Sequence, residues 1–161
     1  IITVLRILCV PLFIIFFKTD VQIATLIFIV AILTDILDGV LARLIKSRSI
    51  LGSILDPLAD KILIDTAFLL LASRVIIPYW MMVTIISRDV ILVLGWLLIF
   101  IITTNIKVEP SIFGKITNFL KSSSVLLLLF NLKIEYYLYI TIIFTVISLL
   151  DYLIKGIRKI G

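Results

Sequence analysis

The sequence predicts an all-α integral membrane protein, with six transmembrane helices in one domain spanning residues 1–161. Three observations carry that prediction. First, 63% of the residues are hydrophobic and 16% charged, at a mean hydropathy of +1.33. Soluble domains are nearer half apolar and a quarter charged, and a soluble chain this short could not hide so much apolar surface. Second, the apolar residues come in continuous runs near the length of about 20 that a spanning helix needs, without the alternation of barrel strands. Third, the runs are joined by short polar or basic turns, with no linker and no internal repeat.

The first run covers about Ile2 to Phe17 and is closed by Lys18-Thr19-Asp20. The second covers about Val21 to Ile45 and ends in the basic turn Lys46-Ser47-Arg48-Ser49. The third extends from about Gly52 to Ala72, stopping before Arg74, and the fourth from near Pro78 to about Thr103. The longest polar connection, Thr104 to Pro110, precedes the fifth run, about Ser111 to Phe130. The sixth covers about Ile134 to Ile154. Lys and Arg in the connections set the orientation. Lys46, Arg48, Lys107, Lys155, Arg158 and Lys159 fall on one rim, and only Lys18, Arg74 and Lys133 on the other. The richer rim is expected in the cytoplasm, with both termini.

Absences narrow the chemistry. There is no His, and Cys9 is the single cysteine, so His catalysis, a Cys-ligated metal and an intrachain disulfide are excluded. Cys9 lies among apolar residues and is read as core. The net charge of +5 and pI near 9.5 suit a rim facing anionic lipid, with no nucleic-acid partner expected. The chain opens at Ile1 without Met, so a short preceding start is expected; no signal-peptide pattern is seen.

Ionisable residues inside apolar helices are costly and point to function. Asp35 and Asp38 are three apart on the second run and share a helix face that Ala42 continues, with Gly39 and Arg43 alongside. Asp56 and Asp60 are four apart on the third run, followed by Lys61. The short basic turn folds the two runs back on each other, so four carboxylates can converge. Asp35 lies eleven residues before Lys46, about 17 Å along a helix, which calls for a cavity open to the cytoplasm. Clustered carboxylates without His or Cys imply hard cations, Mg²⁺, Mn²⁺ or Ca²⁺. Two such ions could clamp a transferring phosphoryl group. Gly39 and Ala42 leave room for a ligand, and Arg43 could neutralise a phosphate. The bland alternative is buried ion pairing with Lys61, Arg43 and Arg88. Asp65 and Asp151 are read as structural pairs.

Asp35 to Asp60 reads D-x-x-D-G-x-x-A-R, eight residues, then G-x-x-x-D-x-x-x-D. This resembles, at every defined position, the signature of the CDP-alcohol phosphotransferase family. T-x-x-R-x-x-x-x-P at Thr3, Arg6 and Pro11 is similar to the family's N-terminal segment. The resemblance implies the CDP-alcohol phosphotransferase fold over essentially the whole chain. It also implies a reaction in which an acceptor hydroxyl attacks the β-phosphorus of a CDP-linked donor and CMP leaves. Asp35, Asp38 and Asp56 would mainly hold two divalent metals, Mg²⁺ or Mn²⁺. Asp60 would be the catalytic base, near or on the second metal. Asp38, Gly39, Ala42, Arg43 and Gly52 would line the CDP pocket. The resemblance further implies CDP-diacylglycerol as donor, a homodimer, and a cell (inner) membrane location with the active site facing the cytoplasm.

Within the family, D-P-L-A-D-K (Asp56 to Lys61), the Arg88 element, P-S-x-x-G-K (Pro110 to Lys115) and the pattern from Tyr139 to Ser148 resemble the branch that uses sn-glycerol 3-phosphate. Lys61, Arg88 and Lys115 are then candidates to hold the acceptor phosphate. Arg88-Asp89 replaces that branch's usual Arg-Glu, and Thr117 stands where a second Lys is usual. Both departures resemble CMP-forming cardiolipin synthase, whose acceptor is phosphatidylglycerol. Lys121, one turn beyond Thr117 on the same helix face, is expected to restore the charge. The remaining alternatives are another acceptor, such as inositol phosphate, and a divalent-cation transporter.

Overall fold

The computed structural model describes the backbone over residues 2–45, 50–102 and 112–160, and side-chain surroundings over residues 8–34, 61–95, 98 and 112–156. Six helices fill it: α1 (Ile2–Thr19), α2 (Val21–Ile45), α3 (Ile50–Ser73), α4 (Tyr79–Ile102), α5 (Ile112–Leu129) and α6 (Glu135–Ile160). These are the six apolar runs of the sequence. The largest difference is at the C-terminus, where α6 continues through the charged residues after Ile154 to Ile160.

The six predicted membrane spans are corrected. Among the described residues, only Ile112–Leu129 on α5 and Glu135–Gly156 on α6 are long and apolar enough to cross a membrane. Within the described residues the apolar stretches of α1 and α2 are Leu8–Thr19 and Val21–Thr34. On α3 the charges Asp56, Asp60, Lys61 and Asp65 interrupt the apolar sequence. The basic rim residues Lys46, Arg48, Lys107, Arg158 and Lys159 lie outside the residues whose surroundings are described.

Local chemistry sets the helix ends. Asp20 caps α2: its Oδ1 accepts from the amides of Gln22 at 2.9 Å and Ile23 at 3.4 Å, taking up two otherwise orphaned donors. α3 and α5 end alike. The amide of Ile76 donates to the carbonyl of Leu71 and that of Val75 to Ala72; Leu132 donates to Leu127 and Asn131 to Leu128. This is the Schellman pattern, which needs a left-handed residue after the helix. Val75 and Asn131 fill it at φ 59° and 57°. Asn tolerates that region, whereas a β-branched Val is strained there.

α1 packs on both α2 and α3, α6 packs on both α4 and α5, and the two groups are joined by α3 against α4 and α5 and by α2 against α5. The apolar core is deepest in the first group. Phe13, Phe17 and Phe28 are buried, and Phe13 lies 5.7 Å, ring to ring, from each of the other two. Ala24 and Ala31, two turns apart on α2, and Ala67 on α3 are buried small residues that let the helices approach. On the other side, a Cβ on Gly95 would come within 3.0 Å of the Tyr152 ring, which marks the close crossing of α4 and α6.

Candidate active site

The predicted metal and CDP residues lie on two helices. Asp35, Asp38, Gly39, Ala42 and Arg43 are on the last three turns of α2, and Gly52, Asp56 and Asp60 on the first three turns of α3. α1 packs against both helices. Their side chains lie outside the described residues, and among those described no group of three or more His, Cys, Asp or Glu could hold a metal. The donor chemistry still fits a hard divalent cation. Four carboxylates supply oxygen only, in a chain with no His and one Cys.

The next residue after Asp60 opens a described site. Lys61, Ile62 and Asp65 on α3 face Asp89, Val90, Val93 and Leu94 on α4 across a cleft of about 230 Å³. Lys61 and Asp65 are four apart, so one α3 face carries both. Behind the cleft is a buried polar cluster drawn from four helices. Asp89 sits at its centre. Its Oδ1 accepts from Arg88 Nη1 at 2.5 Å, and its Oδ2 makes a short contact with Lys121 Nζ from α5. Lys121 also lies 3.4 Å from Asp65 Oδ1. Arg88 Nη2 donates to Ser148 Oγ on α6 at 2.7 Å, and Nη1 reaches Asn118 Oδ1 on α5 at 3.4 Å. Arg88, Asp89 and Lys121 are at most 3% exposed. Charges this deep persist only when paired and hydrogen-bonded. Arg88 Nε is buried with no partner among the described residues.

Hydroxyl groups carry the cluster along the α5–α6 contact. Thr117 Oγ1 donates within 2.8 Å of the Phe113 carbonyl and 3.0 Å of the Phe144 carbonyl. Ser124 and Thr141 meet at 3.0 Å, and Ser123 and Tyr137 at 2.6 Å.

Lys61, Arg88 and Lys121, the predicted acceptor residues, are therefore brought together. Lys115 is not: it is exposed on α5 and takes no part in the cluster. Thr117 and Lys121 do share a face, since both are buried. Arg88 and Lys121 are neutralised by Asp89 and Asp65, whereas Lys61 has no ion-pair partner among the described residues. Asp65 pairs with Lys121, and Asp151 with Lys155 at 2.8 Å, as the sequence suggested. The sequence reading missed Asn118 and Ser148. For Ser148 a signal was available: Thr141, Thr145 and Ser148 recur at helical spacing on the apolar α6.

Two helices bearing paired carboxylates run into a cleft lined by one cation, Lys61, two carboxylates and apolar side chains. A comparison with known families gives its class. The chain belongs to the CDP-alcohol phosphatidyltransferase family, whose model matches residues 1–149. It is thus a membrane-associated enzyme that transfers a phospholipid group and releases CMP. Among curated relatives it is 35% identical over 140 residues to the CDP-diacylglycerol–glycerol-3-phosphate 3-phosphatidyltransferase of Bacillus subtilis, covering 81% of this chain and 72% of that one. The enzyme of the same name from Aquifex aeolicus is 31% identical, over 96% of this chain and 93% of its own. The human cardiolipin synthase (CMP-forming) is 49% identical over 77 residues, 47% of this chain and 26% of its own.

Proposed function

We propose that this enzyme moves a phosphatidyl group from CDP-diacylglycerol to sn-glycerol 3-phosphate, forming phosphatidylglycerophosphate. Lys61 carries the reading: it is a cation without an ion-pair partner among the described residues, lining the cleft and next in sequence to Asp60. Similarity to two glycerol-3-phosphate enzymes, over 81% and 96% of this chain, supports it. In this reading Asp60 accepts the proton of the acceptor hydroxyl as its oxygen bonds to the β-phosphorus. The bond from that phosphorus to the bridging oxygen breaks, and CMP leaves with the electron pair. Arg43 neutralises phosphate charge, Gly39, Ala42 and Gly52 leave room for the CDP group, and Lys61 draws in the acceptor phosphate. Arg88 and Lys121 form the floor beneath it. Asp35, Asp38, Asp56 and Asp60 would hold two ions, Mg²⁺ or Mn²⁺. When bound, these supply positive charge to the pyrophosphate and the leaving group. A homodimer, with the termini and site facing the cytoplasm, belongs to the same reading.

One observation favours a second acceptor, phosphatidylglycerol. The described cluster holds three cations, Lys61, Arg88 and Lys121, against two carboxylates, Asp65 and Asp89, and the cleft walls Ile62, Val90, Val93 and Leu94 are apolar. One net positive charge beside apolar walls suits a lipid phosphodiester. A phosphomonoester carries nearly two negative charges at neutral pH. The segment similar to cardiolipin synthase points the same way.

The test supplies the purified protein with CDP-diacylglycerol, Mg²⁺ and either glycerol 3-phosphate or phosphatidylglycerol, and reads lipid products by mass spectrometry. Phosphatidylglycerophosphate from the first supports the leading reading. Cardiolipin from the second alone replaces it.

A further inference from the structure

Three charged residues line the cleft between α3 and α4, Lys61, Asp65 and Asp89, and one of them is already spent. Asp89 accepts from Arg88 at Oδ1 and from Lys121 at Oδ2, and its side chain is 2% exposed. Asp65 is different. A carboxylate has room for about four donors. Among the described residues Asp65 receives one, Lys121 Nζ at a long 3.4 Å, and it shares that donor with Asp89, which holds it more closely. Its side chain is 19% exposed. Lys61, one turn before it, has no ion-pair partner among the described residues. Residues four apart on a helix stand about 5–6 Å apart at Cβ, and opposite charges at that spacing commonly pair. These two do not. The cleft therefore presents a cation and a carboxylate side by side, each with a side open. The other lining side chains, Ile62, Val90, Val93 and Leu94, carry no hydrogen-bonding group.

We propose that Asp65 is a specificity-determining residue: it accepts a hydrogen bond from the C2 hydroxyl of the acceptor's glycerol while Lys61 holds the neighbouring phosphate. The inference rests on the reading that the acceptor is glycerol-based. It is the same for glycerol 3-phosphate and for phosphatidylglycerol, whose headgroup also keeps that hydroxyl. The chemistry of the pair selects this ligand. The terminal hydroxyl is consumed at phosphorus, and its proton goes to Asp60. The C2 hydroxyl lies on the carbon next to the one that bears the phosphate. A phosphate at Lys61 therefore brings it within reach of a group one turn away. An ionised carboxylate only accepts, so Asp65 repels a phosphate unless the same ligand brings a donor. An O–H···O⁻ bond is roughly twice as strong as a neutral one. An alcohol phosphate without that hydroxyl leaves Asp65 facing the phosphate with nothing between them. The site thus selects by a repulsion that only the right ligand relieves.

The test compares glycerol 3-phosphate with 3-hydroxypropyl phosphate, the same acceptor without its C2 hydroxyl. Purified protein is given CDP-diacylglycerol and Mg²⁺, and CMP release yields kcat/KM for each acceptor. The unmutated protein should prefer glycerol 3-phosphate by about 10- to 100-fold, the scale of one hydrogen bond to a charged group. Asp65→Ala should bring the ratio close to one, chiefly by losing activity toward glycerol 3-phosphate. Asp65→Asn keeps the shape and one neutral acceptor oxygen. It should give an intermediate ratio, and it stands in if Asp65→Ala fails to fold. A residue that only braces Lys121 would lower both activities together, so a ratio unchanged by substitution overturns the proposal. Equal use of the two acceptors by the unmutated protein overturns it too, while leaving the acceptor reading intact. If glycerol 3-phosphate gives no product, the comparison is run with phosphatidylglycerol and its headgroup C2-deoxy counterpart, and the same ratios are expected. Product from neither glycerol acceptor overturns the acceptor reading and this inference with it.

Discussion

The two halves of the bundle are held together by different chemistry. Between α1, α2 and α3 the buried contacts are aromatic and aliphatic: Phe13 against Phe17 and Phe28, with Ala24, Ala31 and Ala67 filling between helices. Between α4, α5 and α6 the buried contacts are largely polar. Arg88, Asp89, Thr117, Lys121, Ser124, Thr141, Thr145 and Ser148 are all buried there. Apolar contacts gain little from exclusion of solvent where the solvent is itself lipid, so packing shape must hold the first half. Hydrogen bonds and ion pairs are directional and fix the register of the second half, which also floors the cleft. The lesson is that buried charge bordering the cleft also orders the helices that carry it.

That contrast can be broken most severely at Asp89. Asp89→Asn removes the carboxylate shared by Arg88 and Lys121. Stability should fall by about 3–5 kcal/mol, as when one partner of a buried pair is lost. Thermal unfolding in detergent checks it, and adding Lys121→Met should recover part of the loss. In the apolar half, Phe28→Ala should cost about 3 kcal/mol through an unfilled cavity, with no recovery from a charge change elsewhere. A small gain sharpens the comparison. Val75 is 80% exposed at φ 59°, so Val75→Gly should raise stability by about 1 kcal/mol and shift the unfolding temperature upward. The smallest effect is expected at the hydroxyl pairs. Ser124→Ala removes the contact with Thr141 and should cost about 0.6 kcal/mol, the scale of a single interhelical hydrogen bond in a membrane.

Much of the architecture was legible in the sequence because apolar runs and their polar punctuation are local signals. The start of α2 at Val21 follows from Asp20, whose capping bonds are within its own turn. The end of α6 was not legible: the helix outlasts its apolar stretch and continues through Lys155. On α3 the apolar run was counted through Asp56, Asp60, Lys61 and Asp65, which interrupt it. At the site, Arg88, Lys121 and Lys61 stood out as costly charges. The sharing of Asp89 between Arg88 and Lys121 did not, since it joins residues thirty-two positions apart across two helices. Lys115 looked equivalent to Lys121 by type and is distinguished only by the face of α5 it occupies.

The central claim is that the chain is a CMP-releasing transferase whose aspartate motif drives the reaction. Its most direct test measures CMP and lipid product together, from CDP-diacylglycerol and glycerol 3-phosphate, with unmutated protein and with Asp60→Asn. The account predicts CMP and phosphatidylglycerophosphate in equal amounts from the unmutated protein and neither from Asp60→Asn. Equal product from both proteins would contradict it.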